Sequence, residues 1–231
     1  MYASITPQSP NRLAAGLAFI FDMDGVLVNS NPVHRQAWAR FNLRYGIETT
    51  PGMLERMYGK RNDDIVRDFF GGGLAPEEVV ARGAAKELLY RQMIGGRIEE
   101  MLVPGIRQFL ARYAGTPMAV ASNAEPENVL FVLDRAGLAG FFRVVLDGHQ
   151  VSRPKPDPEI YLRAAERLGV APPNCLVFED SHSGVTAARK AGMRVIGLGT
   201  TYDNLPGTGI CVDNFESGEL ETWLAAQSRA V

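Results

Sequence analysis

The sequence predicts an α/β protein: a doubly wound parallel sheet with a helical insertion after its first strand. Three observations lead there. From Pro104 onward, short apolar runs alternate with helix-like segments: GIRQFLARYAG, PMAVAS, PENVLFVLDRAG, RVVLD, DPEIYLRAAERLG, CLVFED, SGVTAARKAG and MRVIGLG. This is the repeated βα pattern of a parallel sheet. The strand candidates are apolar without polar alternation, as strands are when helices cover both faces. Between Asn31 and Leu102 the spacing is instead helical almost throughout, punctuated by Gly and Pro.

Taken in order, Met1 to Asn11, with Pro7 and Pro10, reads as a loose lead-in. The apolar run Leu13–Phe21 has only Arg12 before it and enters DMDG rather than a small-residue cleavage site, so no signal peptide is expected. Leu17, Phe19, Ile20 and Phe21 suit a doubly buried first strand that carries Asp22 and Asp24 into a turn at Gly25. Asn31-Pro32 suits a helix start and Gly46 its end. PGMLERMYG and NDDIVRDFF follow as short helices, then a longer one whose opening Pro76-Glu77-Glu78 places acids at the positive end of the helix dipole. Gly137, Gly169 and Gly192 fall where helix C-caps are expected, and CVDNFESGELETWLAAQS supplies a last short strand and helix. The predicted division is a core of residues 1–30 and 103–231 with a helical cap of residues 31–102.

With 231 residues, 46% hydrophobic and 22% charged, the chain has enough apolar material for a full core. A net charge of −2 with scattered Lys and Arg gives no basic field for nucleic acid. No apolar stretch approaches the roughly 20 residues of a membrane helix, so no membrane partner is expected. Cys175 and Cys211 have no metal-ligand spacing, and a disulfide framework is unnecessary at this size, which fits a reducing cytoplasm. A monomer is expected.

The chemistry starts at Asp22 and Asp24, at the carboxyl end of the first strand, where open α/β sheets place ligands. Two acids one residue apart admit three readings. In the first, Asp side chains satisfy loose backbone N–H groups in a turn. The second, a calcium loop, fails because setting Gly25 at the required glycine puts apolar Ile20 at the first ligand position. In the third, Asp22 attacks a phosphoryl group while Asp24 handles the proton of the leaving oxygen.

Three later segments bear on that choice. PMAVAS ends in Ser122-Asn123 before a helix start, where a hydroxyl and free N–H groups hold phosphate oxygens; an ordinary N-cap serine explains it equally well. Lys155 is flanked by Pro154 and Pro156 just before a helix, which suits a point charge aimed at phosphate, although a surface loop lysine has the same pattern. CLVFED brings Glu179-Asp180 out of an apolar strand, where paired acids near other acids are costly without a cation. Mg²⁺ is the natural choice, since it binds few carboxylates and keeps positions for water and phosphate; N-capping is the plainer explanation.

Separately each plain explanation holds, but nucleophile, hydroxyl, lysine and acid pair all occur in order at successive strand ends. With DMDGV, Ser122, Lys155 and Glu179-Asp180 as its four motifs, the chain resembles the haloacid dehalogenase superfamily of phosphotransferases from Leu17 onward. FDMDGVLVNS, RPKPDPEIY and FEDSHSGVTAARKAGM are similar to its small sugar-phosphate phosphatases and β-phosphoglucomutases, whose helical cap lies between the first and second motifs. The resemblance implies a Rossmann-like core and a Mg²⁺-dependent reaction of a small phosphate ester through an aspartyl phosphate. It assigns catalysis to Asp22, Asp24 and Lys155. It assigns phosphate or substrate contacts to Ser122, Asn123, Lys155, Gly25 and His34. Metal ligation falls to Asp22, Glu179, Asp180 and Asp24, the last through its backbone carbonyl. Asp24 argues against halide displacement, since the dehalogenases lack that acid.

For the mutases the match is mixed. Their cap-hinge His and nearby Trp correspond to His34 and Trp38, but Gln92 stands for their substrate-contacting cap Lys and Asn62 for their cap Arg, with Arg61 adjacent. Lys60, Arg61, Lys86 and Arg91 read as solvated charges. A phosphatase is therefore preferred, a phosphomutase is second, and a receiver-like signalling module ranks low because receivers lack the cap.

Overall fold

The computed structural model describes residues 16–227; the expected lead-in and the question of a signal segment lie largely outside them. Its centre is a six-stranded, all-parallel sheet in the order β3-β2-β1-β4-β5-β6. The strands are β1 Ala18–Phe21, β2 Met118–Ala121, β3 Val144–Leu146, β4 Cys175–Glu179, β5 Arg194–Leu198 and β6 Ile210–Val212. The chain winds outward from β1 to β3, returns to β4 and winds the other way. The direction therefore switches between β1 and β4, where a crevice opens at the carboxyl ends.

The unalternating composition of β1 follows from its place in the middle. Phe19 and Phe21 pack on one face with Phe109, Phe178 and Phe215, and the Phe21 and Phe178 rings stack at 4.7 Å. Ala18 and Ile20 face the opposite layer, with Tyr161 and Ala187. Because helices cover both faces, either parity of the strand must be apolar.

The helices are α1 Asn31–Leu43, α2 Pro51–Met57, α3 Asn62–Phe70, α4 Pro76–Ile94, α5 Ile98–Met101, α6 Ile106–Arg112, α7 Pro126–Arg135, α8 Glu159–Leu168, α9 His182–Lys190 and α10 Gly218–Gln227. The predicted glycine ends hold: Gly46, Gly137, Gly169 and Gly192 all have positive φ, between 62° and 77°. Among the described residues no strand lies between β1 and β2. The helices there have their own apolar cluster of Trp38, Phe41, Met57, Ile65, Val66, Phe69 and Val79. The chain leaves and re-enters the sheet region through an antiparallel bridge between Val28 and Leu102. Cys175 and Cys211 are free thiols. No helix among the described residues is long and apolar enough to cross a membrane.

Candidate active site

The strand ends bring the four predicted motifs together. Asp22 N–H donates to the Phe178 carbonyl at 3.0 Å, so the chain leaving β1 is still tied to β4 as it delivers Asp22 beside Glu179 and Asp180. Lys155, on the loop between β3 and α8, is only 4% exposed. Its Nζ donates to Asp22 Oδ1 at 2.6 Å and Glu179 Oε1 at 2.8 Å, over the Tyr161 ring. Tyr161 OH donates to the same Glu179 oxygen at 2.7 Å, while Glu179 Oε2 accepts from Asp180 N, Ser181 N and Ser181 Oγ. With both of its oxygens engaged, Glu179 fixes the ammonium and leaves the freer oxygens to its neighbours. The second oxygen of Asp22 and Oδ1 of Asp180 accept no hydrogen bond among the described residues.

Asp22, Glu179 and Asp180 each place a carboxylate oxygen within 4.8 Å of the others, all buried. At an effective dielectric near 20, two charges at that separation repel by on the order of 3 kcal/mol. Burial, with help from Glu179 and Asp24, pushes Asp22 up to about 7 against the pull of Lys155. Burial, then Glu179 and Asp22, raises Asp180 well above the usual carboxylate range. One ammonium against three carboxylates leaves a deficit that a divalent cation matches, and the donor set is all oxygen, as Mg²⁺ requires. Asn31 Nδ2, at 3.0 Å, and the Thr201 hydroxyl hold Asp180 Oδ2 in place.

Asp24 faces the other way. Its Oδ1 accepts from Ser30 Oγ at 2.5 Å and lies 3.4 Å from His34 Nε2. Burial would raise this carboxyl, but His34 and Ser30 outweigh it and hold it below the usual value. Lys86 Nζ is 2.8 Å from His34 Nδ1. An ammonium only donates, so Nδ1 accepts, and the imidazole proton sits on Nε2, aimed at Asp24. Lys86 in turn pairs with Glu87 at 2.7 Å, and Glu87 Oε2 accepts from Asn128 at 2.6 Å.

That buried chain predicts an acid-sensitive stability. Burial of Glu87 is outweighed by Lys86, His34 and the Asn128 bond, which bring its carboxyl down to about 2. A depressed carboxyl stabilises the fold above its unfolded value, and the stabilisation is lost as pH falls through about 4.5 toward 2. The shift corresponds to roughly 3 kcal/mol. Glu87→Gln should therefore be less stable by about 2–3 kcal/mol at pH 7, with the deficit closing as pH approaches 2. Urea unfolding across that range measures it; a deficit independent of pH would mean that Glu87 contributes through packing alone.

The remaining predicted residues fall unequally. Ser122 is buried beside the acids in the cleft wall, where its Oγ accepts from Ala124 N at 3.1 Å. The Asn123 side chain is occupied, donating to the Gly59 carbonyl at 2.8 Å and accepting from Lys155 N at 3.3 Å, so it ties α2's exit to the lysine loop. Gly25 turns with φ of 81°, and a Cβ there would lie 1.8 Å from Asp180 Oδ2. Its evident role is close approach to Asp180.

Two cap expectations are corrected. Gln92 is exposed rather than in the site. Lys86, read from sequence as a solvated charge, is 1% exposed in the cleft wall on His34. It belongs to the buried stripe Val79, Gly83, Lys86, Glu87, Tyr90, Ile94 of α4, and that stripe was the signal available to find it. Arg61 is likewise not free: Nη2 donates to the Gly148 carbonyl and to the Val151 carbonyl at 2.5 Å.

Between these groups lies a cleft, open at its mouth, that is lined from Asp22 and Lys155 to Asn62 and Glu125.

Known proteins are similar to this chain in sequence and in fold. Protein CbbY of Rhodobacter capsulatus is 34% identical over 198 residues, covering 78% of this chain and 83% of its own length. Fructose-1-phosphate phosphatase YqaB of Escherichia coli is 32% identical over 183 residues, covering 79% and 95%. The crystal structure of β-phosphoglucomutase from Clostridium difficile superposes with a TM-score of 0.82 at 26% identity, covering 93% of this chain and 99% of that one. The shared pattern of the haloacid dehalogenase-like hydrolases itself matches residues 17–192, from β1 past the helix that follows the fourth motif. The chain is thus an enzyme and belongs to the haloacid dehalogenase-like hydrolase family.

Proposed function

We propose that the enzyme is a Mg²⁺-dependent phosphatase that hydrolyses a small phosphorylated metabolite, a sugar phosphate in the first instance, through phosphorylated Asp22. The observation that carries this reading is the pair of acids with opposite surroundings: Asp22 on Lys155 at 2.6 Å, and Asp24 on Ser30 and His34. Asp22 attacks phosphorus, and the ester bond to the sugar oxygen breaks as the aspartyl phosphate forms. Lys155, Ser122 and N–H groups at the start of α7 bind the phosphoryl oxygens. Asp24, which His34 and Ser30 hold ionised in the free protein, takes up a proton as the ester binds and gives it to the departing oxygen; the carboxylate so formed, stabilised by the same two residues, then takes a proton from the water that cleaves the aspartyl phosphate. Asp22, Asp180 and the Asp24 carbonyl would hold the Mg²⁺, with Glu179, whose oxygens Lys155, Tyr161 and Ser181 engage, adding its charge from behind them; the ion would offset charge on the transferring group.

The residue roles accord with a division into a core of residues 1–30 and 103–231 and a cap of residues 31–102, hinged where Val28 meets Leu102. Residues 58–61 meet the core across the cleft: Tyr58 packs on Tyr202 at 5.9 Å, and Asn123 binds the Gly59 carbonyl. Such contacts suit a cap that excludes water on closing. A cytoplasmic monomer acting on small phosphate esters remains our reading.

A phosphomutase is the second reading, favoured by Lys86 in the cleft on His34. Against it stand the neutral Asn62 and the engagement of Arg61 with core carbonyls. The deciding experiment incubates the protein with hexose monophosphates, Mg²⁺ and a hexose bisphosphate primer. Stoichiometric phosphate release, abolished by chelator and restored by Mg²⁺, is expected. Primer-dependent isomerisation with negligible phosphate release would promote the mutase, and full turnover in excess chelator would end the metal assignment.

A further inference from the structure

Besides Asp22, Asp24 and Asp180, the cleft is lined by acidic groups that a second phosphate would have to face. Glu125 caps α7, three residues after Ser122, so the loop that leaves β2 sets both. Its carboxylate lines the cleft, accepts from Asn62 Nδ2 at 3.5 Å and meets His149 Nε2 at 2.6 Å. Burial, with help from Glu87 and Asp63, raises this carboxyl against the pull of His149 and the Asn62 bond. Glu87, 3% exposed, adds a second carboxylate to the same wall.

The nearby cations are already engaged. Lys86 is held between Glu87 and His34, Arg91 donates to Asn128 Oδ1 at 2.6 Å, and Arg61 grips the Gly148 and Val151 carbonyls. Lys60 lines the cleft from an exposed position, where water screens it.

We propose that Glu125 is a specificity-determining residue that excludes substrates carrying a second anionic group. The substrate is then a monophosphate whose remainder is hydroxylated and either uncharged or amine-bearing. This rests on the phosphatase reading and sharpens it. A carboxylate facing a second phosphate discriminates by repulsion, which penalises the wrong ligand without having to attract the right one. Hydroxyls and ammonium groups, by contrast, donate to Glu125, and hydroxyls also pair with Asn62.

The test compares wild type, Glu125→Gln and Glu125→Lys, with Mg²⁺, on glucose 6-phosphate, glucosamine 6-phosphate and glucose 1,6-bisphosphate. The readout is the ratio of kcat/KM for each monophosphate to that for the bisphosphate. We expect the ratio to favour monophosphates in wild type, to fall in Glu125→Gln, and to fall by about tenfold or more in Glu125→Lys, mainly through KM of the bisphosphate. The same ligands titrated calorimetrically into Asp22→Asn protein, with and without Glu125→Lys, read the preference without turnover. That arm separates this inference from the phosphatase reading, which fails if wild type releases no phosphate from any ester. A ratio equal in all three proteins, a wild-type preference for the bisphosphate, or an unchanged calorimetric preference overturns the role of Glu125.

Discussion

Replacing Asp22 with Asn should abolish turnover while leaving the fold intact. The amide keeps the shape of the carboxyl but is a poor nucleophile, so kcat should fall by roughly 10⁴- to 10⁶-fold, the range met when a nucleophile is removed from an enzyme. Stability should change little, because two effects oppose each other. The variant loses the charge-assisted bond from Lys155 at 2.6 Å, but it also removes a buried carboxylate whose burial and acidic neighbours already hold its carboxyl up at about 7. A purified variant with a wild-type melt and substantial activity would sink the assignment of Asp22. So would acid-quenched wild-type protein in which a phosphate-sized mass increase maps to any residue other than Asp22.

Most of this centre was legible in the sequence because each part is local. An apolar run ending in DMDG, a run ending in Ser122-Asn123, a lysine between prolines and a run ending in Glu179-Asp180 each announce a strand end or the loop beside one, and parallel winding places all strand ends on one edge. The cap residues were not legible for the converse reason. Gln92 and Lys86 lie on the same helix, and only the rotation of α4 against α1 decides which meets His34. That rotation is set by the stripe from Val79 to Ile94, in which Lys86 and Glu87 take core positions as a neutralised pair. A charged pair inside an apolar stripe looks like a solvated face until its partners are known. Glu179 shows the same gap on a smaller scale. Its sequence position predicted a metal ligand, but its five hydrogen bonds, including those from Tyr161 and Lys155, depend on α8 and its preceding loop packing across β4.

Lys155→Met should cost both stability and activity, and the pH dependence of the stability loss identifies the cause. The ammonium is the cation shared by Asp22 and Glu179, and removing one partner of a buried ion pair typically costs about 3–5 kcal/mol because the other charge stays buried. Methionine fills a similar volume against the Tyr161 ring, so most of the loss should be electrostatic. Lys155 pulls Asp22 down in wild type. Without it the carboxyl rises above about 7, and a raised carboxyl favours the fold at low pH and loses that advantage as pH climbs through its folded value. The share of the deficit that Asp22 carries should therefore shrink toward pH 5, where Asp22 takes up a proton, and be largest near pH 8, while the share from Glu179, whose carboxyl Lys155 holds below its usual value, persists at both. Millimolar Mg²⁺ should recover part of the deficit by supplying another cation to the same acids. Turnover should fall by roughly 10²- to 10³-fold even with Mg²⁺ present, the usual effect of removing one donor to the oxygens of a transition state. Chemical unfolding at pH 5 and pH 8, with and without Mg²⁺, measures the stability arm. An equal deficit at both pH values would place the loss on Glu179 and packing rather than on Asp22, and a variant with wild-type kcat would remove Lys155 from the phosphate site.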